Sequence, residues 1–309
     1  MIKNYRTLFI IIALVAIVGV GLHIRSYYIS RDGKYLLGFD PYYHYRMAGT
    51  ILEGGSRPEW DTIAAYPTGA PVRHPPLFHY YLAYSYKVVS LFSGMTLLQW
   101  CIYANTIPVI LTILVAYLAG KAVTNWVGGL FTALFMAVNG AISSRTVIGH
   151  TDTDIWIILF SFAATYFMAS ILKNEKKYTW SALLGFSLFL FALTWVGYWY
   201  LCFLVFSVFG ICILVDGLKK KFDERLLSAF ALSFLFFSVP WTLYKGYYMT
   251  GAIFIVLGVL WGFGHKFLAQ KIKKFPIPTS LAIIILGIYM FYGEGILSAG
   301  MKAGGRLLG

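Results

Sequence analysis

Six side chains in this sequence stand out by type and spacing: Asp40, His44, His74, Arg145, Asp152 and Asp154. The last three fall within SSRTVIGHTDTDIWII, residues 143–158, of a chain that is otherwise strongly apolar. Asp152 and Asp154 are two residues apart and directly precede the apolar run that begins at Ile155. Two anionic groups that close repel one another and favour a hard divalent cation such as Mg²⁺ or Mn²⁺, which in turn neutralises phosphate. The same acids, with Thr151 or Thr153, also suit the cap of the following helix, whose free N–H groups and dipole favour negative charge. One acid can cap while the other binds.

GFDPYYHYR, residues 38–46, offers a second group. Asp40 before Pro41 reads as a helix N-cap, with Pro in the first turn. The spacing also places Asp40 and His44 on one helix face, a geometry that metal ligands use. A cap followed by a surface histidine is the plainer reading. Arg145 can meet lipid headgroups or grip a phosphate through two parallel hydrogen bonds. His74, in APVRHPPLFHY (70–80), can line a site, although Pro75 and Pro76 explain the turn by themselves. The aromatic run TWVGYWY (194–200) reads as an interface belt before it reads as a sugar platform.

The elements that must hold these residues are membrane helices. Of 309 residues, 59% are hydrophobic and 12% charged, and the mean hydropathy is +0.73. Soluble domains carry roughly 25% charged residues. Apolar runs near 7–23, 98–119, 125–142, 155–172, 180–196, 198–215, 227–244, 249–264 and 279–292 predict an all-α polytopic membrane protein with nine transmembrane helices. No A-x-A-like cleavage site follows the first run, which reads as an uncleaved span. Cys101, Cys202 and Cys212 all fall in apolar runs without metal or redox spacing, and read as packing residues.

The net charge of +13 is dispersed in short clusters, which argues against nucleic acid and for membrane topology. If 77–92 lies at the interface rather than spanning, Lys3 and Arg6, Lys121, KNEKK (173–177), KKKFDER (219–225) and HKFLAQKIKK (265–274) share one side. That side is cytoplasmic by the positive-inside rule. It then holds 14 Lys and Arg against 4 acids, while the outer side holds 11 against 8. Most acids are exported. The first outer loop, about residues 24–97, contains the interfacial helix, and the second, about 143–154, contains the acidic pair, so Asp40 shares a face with Asp152 and Asp154.

The ordered motifs GFDPYYHYR, YPTGAPVRHPPLFHY, SRTVIGHTDTD and TWVGYW resemble the catalytic subunit of oligosaccharyltransferase, most of all its archaeal members, over residues 1–292. The resemblance implies transfer of a preassembled glycan from a dolichyl phosphate or diphosphate carrier to the Asn of Asn-x-Ser/Thr sequons. It implies Asp40, Asp152 and Asp154 as metal ligands, Asp152 the stronger match with Asp154 close to it, and Asp40 and Asp154 as catalytic residues, Asp40 also approaching the acceptor amide. It implies Arg145 as a substrate-binding residue and Mg²⁺ or Mn²⁺ as cofactor. The expected location is the cell membrane, with the N-terminus cytoplasmic and the active face extracytoplasmic. Family members continue with a further outer-loop acid and a soluble domain bearing WWDYG. Neither occurs within residues 1–309, which read as one transmembrane domain, the membrane part of a truncated or split enzyme completed by a C-terminal half. Two other classes compete: another polytopic glycosyltransferase using lipid-phosphate sugars, such as a protein O-mannosyltransferase, and a transporter or scaffold. A transporter places its charges mid-span, whereas these acids stand at span ends.

Overall fold

The computed structural model describes residues 2–29, 33–173, 177–219, 223–272, 277–283 and 285. The described residues are mostly helical. Among the described residues up to Ile272, the α-helices follow in this order: α1 (Ile2–Arg25), α2 (Phe39–Gly54), α3 (Leu77–Ser90), α4 (Leu97–Tyr103), α5 (Thr106–Val123), α6 (Trp126–Val138), α7 (Gly140–Arg145), α8 (Asp154–Leu172), α9 (Lys177–Ala192), α10 (Trp199–Leu218), α11 (Glu224–Tyr244) and α12 (Tyr248–Ile272). A two-stranded antiparallel ribbon, β1 (Trp60–Asp61) and β2 (Ala70–Pro71), interrupts them between α2 and α3.

Among the described residues, five helical stretches are long and apolar enough to cross a bilayer: Tyr5–Tyr28, Leu97–Val123, Asp154–Leu172, Trp199–Leu218 and Glu224–Tyr244. Trp126–Val138 and Tyr248–Trp261 are shorter apolar helices. The protein is therefore an α-helical, multi-pass membrane protein. Local sequence sets several of its breaks. The expected span 98–119 starts as α4, held by a capping box between Thr96 and Gln99. The expected span 125–142 stops at Val138, because Asn139 takes an extended conformation and its side chain accepts the Ile142 N–H to begin α7. The last expected span, 279–292, falls largely outside the described residues. The segment expected to lie at the interface is helical as α3; its 14 residues span about 21 Å at 1.5 Å per residue, short of a hydrocarbon core of about 30 Å.

The chain divides into two compact units, Met1–Tyr166 with Leu193–Val196, and Phe167–Ala192 with Gly197–Gly309. In the first, α5 packs along α6 and both meet α1, around Val109, Ile113, Ala116, Ala133, Met136 and Ile155. A second core joins α2, α3 and α4 through Ala48, Ile51, Phe78, Leu82 and Trp100. The 193–196 segment is tied to this unit where the Leu77 N–H donates to the Leu193 carbonyl at 2.8 Å. In the second unit α9 and α12 pack against α11. Cys101 and Cys202 are buried as free thiols and Cys212 is half-buried, in keeping with packing roles.

Candidate active site at the head of α8

The 146–153 loop, which carries the acidic pair into α8, is held by hydrogen bonds from several segments of its unit. The Ile148 N–H donates to the Arg25 carbonyl at 2.9 Å, Gly149 to Ile102 at 3.0 Å, and Leu37 to the Gly149 carbonyl at 2.9 Å. The Asn105 side-chain amide, set between α4 and α5, donates to the Asp152 carbonyl at 2.9 Å and to that of His150 at 3.3 Å. The Thr151 hydroxyl donates to the Cys101 carbonyl. Gly149 has φ +102°, and a Cβ there would meet the Tyr28 ring at 2.9 Å, so the turn that presents His150 requires glycine.

Behind this loop sits a fully buried arginine. Arg25, at the end of α1, donates to the Thr146 hydroxyl at 2.8 Å and to the carbonyls of Gly21, Ala137 and Met136 at 2.9, 2.7 and 3.4 Å. It joins the ends of α1 and α6 to the residue that follows Arg145. Sequence reading passed over it because an arginine at a span end looks like a headgroup contact.

At the head of α8, His150, Asp152 and Asp154 bring one ligand atom each to within 4.8 Å of one another. Arg145 Nε lies 3.1 Å from Asp154 Oδ2, and His150 Nε2 lies 3.7 Å from the same oxygen. The two acids thus come together as their spacing suggests, with Arg145 beside them. His150 is the member that sequence reading left out, although its i, i+2, i+4 register with the acids was a signal. His150 Nδ1 lies 3.1 Å from the Leu37 carbonyl, which only accepts, so that nitrogen carries a proton. Among the described residues its buried Nε2 has no hydrogen-bond partner. In a neutral ring this leaves a lone pair aimed at an anionic neighbourhood, an arrangement that a cation or a second proton relieves. Asp154 raises the His150 pKa, and burial opposes the rise.

Asp152 does not cap α8 in the way its position suggested. Asp152 Oδ1 accepts from the adjacent Thr153 N–H at 2.6 Å and from its hydroxyl at 3.3 Å, rather than from the next turn. Burial works against ionisation of Asp152, but hydrogen bonds from His44 and the Thr153 N–H, together with nearby His150, outweigh it and bring its pKa to about 2.

The first outer loop supplies the other wall, with two departures from expectation. Asp40 is not the N-cap of α2: Gly38 takes that position at φ +93°, a conformation open to glycine, and Asp40 stands exposed in the first turn. His44 is not a surface residue: it is 1% exposed, with Nε2 3.3 Å from Asp152 Oδ1 and Nδ1 2.8 Å from His79 Nε2. The helix therefore turns His44 toward the α8 acid instead of pairing it with Asp40. Among the described residues, Asp40 is not a member of the His150, Asp152 and Asp154 group. Desolvation and then His44 hold the His74 pKa below its ordinary value, and Asp40 and Asp152 oppose that shift. A Cβ on Gly38 would lie 3.9 Å from the His150 ring, so the start of α2 abuts the same cluster.

Residues 8–298 match the family model of the N-terminal region of oligosaccharyl transferase STT3. The chain belongs to the STT3 family. Among relatives, it is 26% identical over 266 residues to dolichyl-phosphooligosaccharide-protein glycotransferase 1 of Archaeoglobus fulgidus, covering 84% of this chain and 41% of that protein. The glycotransferase 1 of Pyrococcus furiosus is 25% identical over 315 residues, covering 95% of this chain and 32% of the relative. The STT3 region described here thus spans less than half the length of these proteins. The fold matches the crystal structure of the A. fulgidus oligosaccharyltransferase tethered to an acceptor peptide containing an NVT sequon, with a TM-score of 0.63, 19% identity, and coverage of 93% of this chain and 38% of that one. It also matches an A. fulgidus structure in complex with an inhibitory peptide and a dolichol-phosphate, with a TM-score of 0.57, 17% identity, and coverage of 92% and 39%.

Proposed function

We propose that this chain is the membrane half of an oligosaccharyltransferase, moving a glycan from a dolichyl phosphate or diphosphate carrier to the Asn of Asn-x-Ser/Thr sequons at the extracytoplasmic face of the cell membrane. The observation that carries this reading is the convergence of His150, Asp152, Asp154 and Arg145 at the head of α8 in an STT3 chain. The donor set suits a divalent cation, Mg²⁺ or Mn²⁺: two carboxylates, and an imidazole whose other nitrogen is already bonded to a backbone carbonyl. Asp152, Asp154 and His150 would hold it, with Asp40 approaching from α2. When bound, such an ion stabilises charge on a departing lipid phosphate.

The chain's own residues supply the rest. Arg145, 65% exposed at its side chain, is free to swing from Asp154 to a phosphate and bind it through two N–H groups. Asp40, exposed at the start of α2, would accept hydrogen bonds from an acceptor amide. Asp154, 3.1 Å from Arg145, keeps that guanidinium beside the acids until substrate arrives. An amide nitrogen is a poor nucleophile, so holding it against the sugar supplies much of the catalysis.

The test uses membranes containing this chain together with the C-terminal region of a family member, a lipid-linked oligosaccharide and a sequon peptide. Transfer should require added Mg²⁺ or Mn²⁺, and Asp40→Ala or Asp152→Ala should each abolish it. Undiminished transfer by either variant would remove that residue from the site.

A further inference from the structure

The hydrogen bonds behind Asp152 run in one direction. Arg57, in the first outer loop, has a guanidinium that only donates. Its Nη1 donates to the His74 carbonyl and lies 3.4 Å from His79 Nδ1. His79 Nδ1 must therefore accept. His79 is fully buried, and burial above all, with the Arg57 charge nearby, brings its pKa to about 2, so the ring is neutral and its one proton sits on Nε2. That nitrogen is 2.8 Å from His44 Nδ1, which accepts in turn and leaves the His44 proton on Nε2, 3.3 Å from Asp152 Oδ1.

We propose that Arg57, His79 and His44 form a directed hydrogen-bond chain that fixes the tautomers of both histidines and positions Asp152, holding its Oδ1 so that Oδ2 is presented to the ligand side. These are positioning residues, drawn from the 55–76 loop, α3 and α2. The consequence for metal binding rests on the proposed function above; the tautomer assignment does not. Without Arg57, either nitrogen of His79 can hold the proton, and the reversed chain would turn a lone pair of His44 toward the Asp152 carboxylate. The first outer loop therefore acts on the second through a proton arrangement, with no direct contact between Arg57 and Asp152 required.

The experiment uses the full chain in lipid nanodiscs with ¹⁵N-labelled histidine, and reads proton–nitrogen correlations together with Mn²⁺ binding by electron paramagnetic resonance. Both His44 and His79 should appear as neutral Nε2–H tautomers. Arg57→Met should add the second tautomer and weaken Mn²⁺ binding about tenfold, the lower end of the effect of losing a partner behind a metal ligand. His79→Leu should weaken binding similarly, while His79→Gln, which keeps a donor toward His44, should restore much of it. A merely structural role would not separate Leu from Gln in this way. A proton on His44 Nδ1 in the unsubstituted chain, or an Arg57→Met chain with unchanged tautomers and Mn²⁺ affinity, would overturn the proposal. Absence of Mn²⁺ binding alongside the expected tautomers would count against the metal reading and uphold the hydrogen-bond chain.

Discussion

At the scale of single residues, the site is governed by which atoms are left with unused capacity. Arg145 is exposed and paired with Asp154 by one nitrogen, which leaves most of its fork for a ligand. Lysine keeps the charge but not the fork. Arg145→Lys should therefore raise the donor KM about tenfold, the size of one charge-assisted hydrogen bond, with a smaller change in kcat; a fall in kcat alone would place Arg145 outside donor binding. Asp61 carries a separate prediction. Arg46 donates to both of its oxygens, at 2.8 Å on Oδ1, and the N–H groups of Ile63 and Ala64 donate to Oδ1 at 3.0 and 3.2 Å. The Arg46 bond is the largest cause holding the Asp61 pKa at about 2, against the ordinary 3.8. A folded pKa below the unfolded one means stability that is present above the ordinary carboxylate range and lost as pH falls toward the folded value. Pepsin cleavage of the first outer loop should consequently rise as pH drops from 4 toward about 2 in the native chain. In Asp61→Asn it should already be fast at pH 4, and equal rates there would show that the pair does not hold the loop.

At the scale of elements, the 146–153 loop owes its position to the ends of helices. Arg25 links α1, α6 and the residue after α7 through four acceptors, with no acid among them. Arg25→Met fills similar space but strands buried acceptors, each costing about 1–3 kcal/mol. It should lower the thermal unfolding midpoint in detergent and, by loosening Thr146, reduce glycan transfer more than Thr146→Val does. An unchanged midpoint would mean that water replaces the guanidinium. The positions of Asn139 and Gly149 explain why this arrangement was only partly legible. The chain's apolar pattern marks a span at 125–142, but an asparagine that ends one helix and starts the next has no hydropathy signature.

At the scale of the whole molecule, sidedness is the property on which function depends. The acids of both outer loops should face away from the cytoplasm, and the Lys-rich loops toward it. In a chain whose own three cysteines are replaced, a membrane-impermeant maleimide applied to intact cells should label Glu53→Cys and spare Lys219→Cys. The reverse pattern would invert the topology and move the proposed site to the cytoplasmic face.

The amino-acid sequence by itself determined the helical membrane class, through apolar runs that only a lipid environment accommodates, and it singled out Asp152, Asp154 and Arg145, because charges bordering such runs need a reason to be there. Tertiary structure decided their partners. His44 was expected at the surface and is buried against Asp152; His150 joins the acids; His79, Arg57 and Arg25 emerge only as partners across the fold. Composition and spacing report what a segment is dissolved in and which neighbours share its helix face. A hydrogen bond between residues 108 apart in sequence is set instead by how helices from distant segments pack, and no local pattern encodes that.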